Sequence, residues 1–527
     1  MTNIRVARAG NNRVIQRAAW VASRTYKHKS GESLSAIANA RTHEFTTMEA
    51  EAALLWQRIE EGISLDKLQQ RAGLMGLAGE LDSFVSNLDK AQLIIPRLDP
   101  GVKAHEQAKA PPDPNQDGAK VNAYQQVTSR VRRWIINHGY LYSFFWELTY
   151  RCNEQCIHCC NPGAAHKPGD RSRRNTNELT KEEMVELLDD LVEVGVFKLT
   201  LSGGEVFVHK DFFFLLEQAR TRGMLVRIYT NGLLLNEERL QKLATFWPES
   251  VSISLYSANP QEHDNVTRIP GSYERSVHAL KALQQLGIKT AIKTPLMKQT
   301  IHGWRDIEKV GQEVGAQTII APVITAATDG NRDPLELNVE SMGQLISLAA
   351  TPGSPIFVGG PENQYGRKAR DQQRGTCGAG KSMMSITPSG DVLPCCVFPL
   401  KVGSVRDRRF TDIWNNRDEK TDPKSTSGEK EASLNSLQAW RSIKLKDFHE
   451  CGTHDRCAWC STCAGQNFTE TENALAPSEI QCRLSTARME AATRLERGMT
   501  PAEIYQEHGY DESFGNLTLL GEIRKRA

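Results

Sequence analysis

Four cysteines fall within nine residues in the stretch WELTYRCNEQCIHCC, Trp146 to Cys160, directly after an apolar, aromatic run that reads as a strand. Cys152, Cys156 and Cys159 form C-x3-C-x2-C at the C-terminal end of that strand, where parallel α/β folds place their chemistry. A structural zinc site takes four ligands and commonly pairs two short C-x2-C knuckles. Three cysteines without a partner knuckle suit a metal centre with an open position, and an iron–sulfur cluster whose fourth iron is left for another ligand has that count. A chance zinc-binding loop is the bland alternative.

Three later stretches carry groups such a centre would use. LTLSGGEVF ends a second strand with Ser202, Gly203, Gly204 and Glu205; the glycines let backbone approach a ligand, and Glu205 can accept bonds from an ammonium group. SISLYS, 252 to 257, ends a fourth strand with hydroxyls, Ser252 and Ser254, able to meet a ribose. HDNVTRIPGSY, 263 to 273, supplies Arg268, which suits a carboxylate. Each alone is weak, since a strand-end serine is usually a cap; their order on successive strands carries the signal. Eight further cysteines fall in two groups, Cys377, Cys395 and Cys396, then Cys451, Cys457, Cys460, Cys463 and Cys482. In a long chain with no export signal, metal ligation explains them better than disulfides.

The elements that must position these residues follow from the pattern. From Tyr140 strands alternate with helices, the signature of parallel βαβ units, with six strands near 144–149, 197–201, 225–230, 251–255, 288–294 and 318–322. Thr180 and Glu183 form a capping box ahead of a stripe of Met184, Leu187, Leu188 and Leu191, a helix made to cover such a sheet. Before this, RVIQRAAWVASRTY and SLSAIANARTHEF read as two strands leading into a helix with Leu54, Leu55 and Ile59 on one face. Further short helices and an apolar wing at Leu93 to Ile95 complete a small winged-helix module. The proline-rich stretch from 99 to 120 reads as linker, and 418 to 433 as an exposed polar loop. The expected fold is α/β: a winged-helix domain over 1–100, a linker over 101–138, a partial (β/α)6 TIM-type barrel over 139–350 and a cysteine-rich extension over 351–527.

The 527 residues carry 65 basic and 63 acidic side chains, a formal net charge of +2, so no global field favours a nucleic acid partner. No apolar run reaches the roughly 18 residues needed to span a bilayer, and the first thirty residues, with Arg5, Arg8, Arg13 and Arg17, lack a signal-peptide core. The expected location is the cytoplasm, with no membrane partner.

At this point the sequence resembles the radical S-adenosylmethionine (SAM) enzymes, whose motif is C-x3-C-x-aromatic-C, with His158 here in the aromatic slot. The resemblance implies a [4Fe–4S] cluster on Cys152, Cys156 and Cys159 whose unique iron chelates SAM. It also implies SAM contacts from His158, Ser202, Gly203, Gly204, Glu205, Ser252, Ser254 and Arg268, a 5′-deoxyadenosyl radical, and an electron donor such as flavodoxin or ferredoxin. RGTCGAGKSMMSITPSGDVLPCC resembles the opening of a SPASM extension, which implies one or two auxiliary [4Fe–4S] clusters on Cys377, Cys395, Cys451, Cys457, Cys460, Cys463 and Cys482. The spacing of the last group is x5, x2, x2 where that family has x2, x5, x3, and if Cys463 with AGQ marks the third position the fourth falls near Asn467. The first module resembles the PqqD-like element that holds a leader peptide by strand addition and a helix-lined groove. The implied activity is a maturase of a ribosomally made precursor peptide that forms an oxidative C–C, C–O or thioether cross-link. Cys160 and Cys396, the two cysteines outside the cluster count, are candidate catalytic thiols. The alternatives are a peptide epimerase and a zinc-stabilised, non-catalytic peptide adaptor.

Overall fold

The computed structural model describes residues 14–96, 118–162, 177–358, 377–415 and 436–510. The expectations for Arg5, Arg8 and Arg13, for the stretch 418–433 and for the linker up to residue 117 lie outside them.

The centre of the chain is a nine-stranded sheet. Six strands, β7 (Ser143–Thr149), β8 (Lys198–Gly203), β9 (Leu225–Thr230), β10 (Ser250–Ser254), β11 (Thr290–Pro295) and β12 (Gln317–Ala321), pair in parallel in chain order. These are the expected six, each within two or three residues. Their alternating apolar residues, such as Leu199 and Leu201 in β8 and Val226 and Ile228 in β9, are fully buried. The helix Lys181–Glu193 begins with the expected box, Thr180 accepting from the Glu183 amide and Glu183 reaching back, and its stripe of Met184, Leu187, Leu188 and Leu191 is buried.

Three strands of the extension were not legible in the sequence. β13 (Met383–Ile386) pairs in parallel with β7, and β14 (Asp391–Leu393) and β15 (Gly403–Ser404) continue the sheet antiparallel. β7, which carries the cysteine loop, is therefore an inner strand. The main core runs without a break from Leu199 and Ile228 through Met384, Ile386, Phe398, Phe410 and Trp440. A second core joins the helix Met342–Ala350 to the helices Glu479–Glu496 and Pro501–Glu507, so packing crosses the expected boundary at 350.

The first module is richer than two strands and a helix. Each expected strand is two: β1 (Val14–Arg17) and β2 (Val21–Lys27), then β3 (Ser33–Asn39) and β4 (Glu44–Glu49). β2, β3 and β4 form one antiparallel sheet, while β1 pairs with β5 (Ile63–Ser64) and with β6 (Ile94–Pro96), the expected wing. All seven residues of β3 are buried, because Ile37 faces the module's own core while Leu34, Ala36 and Ala38 face a core shared with Phe197 and Leu225 of the barrel. On α1 (Ala50–Glu60) the buried face is Ala53, Leu55, Trp56 and Ile59; Leu54 is only half-buried. The expected linker is a helix in its second part: Gly118–Asn137 packs Val131 and Ile135 into the core between module and barrel.

Asp190 fastens extension to barrel. It is buried and accepts from the Phe410 amide at 2.8 Å and from Arg409 Nε at 3.0 Å. Replacing it with Ala leaves that amide without a partner, and we expect a loss of about 2 kcal/mol in denaturant unfolding, with an unchanged midpoint counting against this clamp.

Candidate metal and cofactor site

Strand β8 sets the position of the cysteine loop. Gly203 has φ +129°, and a Cβ there would lie 2.3 Å from the Thr149 carbonyl; on Gly204 it would lie 2.3 Å from the Arg151 carbonyl. Only glycine permits this approach. The Gly204 amide donates to Thr149 O at 2.6 Å and the Glu205 amide to Arg151 O at 2.9 Å, so the end of β8 is sewn to the chain entering the cysteines. Asn161 Nδ2 donates to Gly203 O at 2.8 Å from the loop's far end. Between them, the amides of Gln155 and Ile157 donate to Thr267 O and Val266 O.

Cys152, Cys156 and Cys159 face one another in this loop. Burial pushes the Cys152 thiol up to about 12, and burial, the Glu154 carboxylate and the other two thiols push Cys156 well above the usual range. Such thiols become thiolates only beside a strong cation, which is what iron provides. Cys156 Sγ lies 3.2 Å from Glu154 Oε2 and 3.7 Å from the Tyr256 hydroxyl, and Asn231 Nδ2 lies 3.9 Å from Cys152 Sγ. Among the described residues no three cysteine sulfurs lie within 4.8 Å of one another.

His158 turns its ring edge-on to Tyr256, centroids 4.5 Å apart, with Nδ1 buried and unpartnered; burial lowers its pKa to about 4, so it is neutral. Ser252 is buried in β10, and Ser254 hydrogen-bonds to Tyr256. Arg268 follows Thr267 directly, in the left-handed region at φ 58°, with its side chain exposed. Glu205, the expected acceptor for an ammonium group, follows β8 by two residues. It is fully buried and accepts from Phe207 N at 3.0 Å, Thr230 Oγ1 at 2.8 Å and Asn231 N at 2.8 Å. Both oxygens are engaged in pinning β8 to β9 and in holding Asn231 toward Cys152. Asn231, Tyr256 and Glu154 were missed in the sequence; their only signal was a place near strand ends.

A second group gathers across the seam between β7 and the extension. Glu147, in β7, is buried, accepts from the Tyr150 hydroxyl at 2.8 Å, and is pushed up to about 7 by burial. The Cys396 thiol is pushed well up by its hydrogen bond to Cys395, by burial, and by the charges of Cys395, Glu147 and Cys160. Cys160 and Cys396, 236 positions apart in the sequence, thus share one neighbourhood with a carboxyl group the sequence did not single out.

The extension cysteines sort into two trios. Cys463 is pushed up to about 11 by burial, with Cys395 and Cys377 as its charged neighbours. Cys482 is raised by burial with Cys460 and Cys457 adding, while Arg456 donates to it. Cys463 thus neighbours Cys377 and Cys395, and Cys482 neighbours Cys457 and Cys460. Cys451 is half-buried against the main core.

Two outcomes check this arrangement. Changing Cys152, Cys156 and Cys159 together to Ala is expected to abolish SAM cleavage and remove about one cluster of iron while the auxiliary iron stays; 5′-deoxyadenosine from the triple variant would refute the assignment. Gly204→Ala, by pushing the Arg151 carbonyl away, is expected to deplete the same cluster selectively, read by iron analysis and electron paramagnetic resonance.

Comparison with known proteins agrees with this geometry. Residues 146–310 match the Radical SAM superfamily, and residues 377–435 match the SPASM iron–sulfur cluster-binding domain, a match that ends before Cys451. The AdoMet-dependent heme synthase of Methanosarcina barkeri is 26% identical over 51% of this chain and 81% of its own length. The mycofactocin maturase MftC of Mycolicibacterium smegmatis is 29% identical over 47% of this chain and 63% of its own, and the PqqA peptide cyclase of Granulibacter bethesdensis is 26% identical over 51% and 72%. The crystal structure of Streptococcus suis SuiB bound to precursor peptide SuiA superposes with a TM-score of 0.52 at 14% identity, over 89% of this chain and 99% of SuiB, a likeness of fold. Among the described residues no helix is long and apolar enough to cross a membrane. The chain is thus an enzyme built on a radical SAM domain with an iron–sulfur SPASM domain, and its cofactors are S-adenosyl-L-methionine and [4Fe–4S] clusters.

Proposed function

We propose that this chain is a maturase of a ribosomally made precursor peptide that forms an oxidative cross-link, C–C, C–O or thioether, in the peptide core. The observation that carries the reading is in the first module. A groove of about 470 Å³ lies between β4 and the helix Leu81–Lys90, lined by Ile37, Phe45, Met48, Phe84, Leu88 and Leu93 among others. β4 pairs with β3 alone among the described strands. A free strand edge beside an apolar groove can take an extended peptide by backbone pairing while the groove takes its side chains. The relatives named for a maturase and a peptide cyclase support a peptide substrate, but the heme synthase matches this chain over as large a share, so the module is what favours a peptide.

Cys152, Cys156 and Cys159 would hold the SAM cluster, with His158, Ser202, Gly203, Gly204, Glu205, Ser252, Ser254 and Arg268 around the SAM, and the trios Cys377, Cys395, Cys463 and Cys457, Cys460, Cys482 would hold auxiliary iron, with Cys451 as a further ligand. When bound, these groups supply a hydrogen-abstracting 5′-deoxyadenosyl radical and an electron acceptor. The chain itself must place the peptide, keep out water and receive a proton, since an oxidative cross-link releases one hydrogen as an atom and the other as a proton and an electron. Glu147, held near 7 and bonded to Tyr150, is suited to hold that proton. A flavodoxin or ferredoxin would deliver the reducing electron.

The thiols of Cys396 and Cys160 beside Glu147 favour a second reading, a peptide epimerase, because a thiol can return a hydrogen atom. Cys396→Ala separates the two. With iron and SAM cleavage intact, normal cross-linked product leaves the oxidative reading in place, and loss of an inverted residue in favour of other products selects the epimerase. For the groove, Phe84→Asp is expected to weaken precursor binding at least about tenfold while peptide-independent SAM cleavage persists. Unchanged affinity, measured by fluorescence anisotropy, would reject the leader site.

A further inference from the structure

Far from the cysteines, a tight turn and a helix end bring together three ligand-type side chains. After β2 the chain reverses through His28 to Glu32: the His28 amide donates to Glu32 O at 2.9 Å and the Gly31 amide to His28 O at 3.0 Å, with Gly31 at φ +91°. His138 directly follows the helix Gly118–Asn137. The two segments are clamped from the other side, where the Tyr140 hydroxyl donates to Lys27 O at 2.5 Å and the Tyr26 and Tyr140 rings meet edge-on at 5.1 Å. One ligand atom from each of His28, Glu32 and His138 lies within 4.8 Å of the other two.

Counting protons around His138 shows what the cluster needs. Its Nδ1 is 2.7 Å from the Trp134 carbonyl, which can only accept, so Nδ1 carries hydrogen. Its Nε2 is 2.8 Å from Glu32 Oε2, and a carboxylate also only accepts. A neutral imidazole would thus point a lone pair at an anion; a second proton between them makes the contact favourable, and a metal ion bound to both groups would remove the same clash. A proton satisfies two of the three groups. A metal ion also engages His28, whose ring stands edge-on to that of His138 at 4.7 Å and is held at Nδ1 by the Ser30 hydroxyl, 2.9 Å away, and amide, 3.3 Å away. An imidazole Nδ1–H on a backbone carbonyl, with the ring stacked on Trp134 at 3.9 Å, is the outer support that orients ligating histidines.

We propose that His28, Glu32 and His138 form a binding site for one divalent transition-metal ion of the zinc class, which ties the first module to the helix leading into the barrel. Two imidazoles and a carboxylate suit such an ion and leave a position for water. The site is independent of the iron centres and of the proposed peptide chemistry.

The test uses full-length, iron-loaded protein, kept anaerobic so that the cysteines remain on their clusters, and titrates it with Co²⁺ as the probe. One equivalent is expected to bind with the visible bands of nitrogen and oxygen ligation and without thiolate charge transfer. Affinity should fall as acid protonates the histidines. His28→Gln and His138→Gln are each expected to weaken it more than about tenfold with iron content unchanged. Glu32→Gln, at an exposed position, covers the case in which a histidine variant fails to fold. Zn²⁺ should raise the melting temperature of the parent protein and of none of the variants. No Co²⁺ uptake by the parent at neutral pH, equal uptake by the variants, or thiolate bands would each overturn the site; the first would leave His138 and Glu32 as a proton-held ion pair.

Discussion

The approach of the Gly203–Gly204 backbone to Thr149 and Arg151 is the constraint on which the catalytic end depends. Two residues without side chains let β8 come close enough for its amides to bond the carbonyls that lead into the cysteine loop. Glu205, next in sequence, is then drawn beneath the loop, and its carboxylate gathers Thr230 and Asn231 of the β9 end. Asn231 in turn reaches Asn153 and Cys152. A buried carboxylate with every oxygen bonded is a rigid support, and here it transmits the register of three parallel strands to the cluster ligands. A fully satisfied network of this kind costs little once formed and a great deal when one partner is removed.

The same logic of filled edges explains why the extension belongs to the barrel energetically. A partial barrel of six strands leaves β7 with an open edge beside its most reactive loop. β13 closes that edge, and β14 and β15 extend it, so the sheet that orients the first cysteines also carries Cys395 and Cys396. The seam this creates is apolar below, where Phe144 meets Phe410 edge-on at 5.2 Å, and titratable above, where Glu147, Tyr150, Cys160 and Cys396 meet. Burial keeps the Glu147 carboxyl and the Cys396 thiol toward their neutral forms, a state suited to hydrogen and proton transfer, while Cys160 is open to solvent.

The first module is attached by the same means as the extension, through shared core. Tyr26, Leu34 and Phe45 pack with Phe197 and Leu225, and Tyr26 donates to Gly195 O at 3.0 Å. The helix Gly118–Asn137 sits in this joint instead of forming a loose tether. A groove on one face of β4 and a histidine–glutamate cluster at the tip of β2 are thereby held at set positions relative to the barrel.

What the sequence alone determined are the features whose cause is local. The spacing of Cys152, Cys156 and Cys159, the capping box at Thr180, the six apolar strand cores and the glycine pair each depend on residues within a turn or two of one another, and all were legible. The tertiary structure decided everything that joins residues far apart in the chain. β13 to β15 are short, and their apolar residues make sense only against β7. The trios Cys377, Cys395, Cys463 and Cys457, Cys460, Cys482 cannot be sorted by spacing, because thiols carry no mark of their partners. The donors that surround Glu205 come from Thr230 and Asn231, far along the chain, and Glu147 looked like one acidic residue in an apolar strand until burial and Cys396 gave it a setting. Backbone preference and hydrophobic period are properties of neighbours along the chain, whereas burial, charge and ligand geometry are properties of neighbours in space.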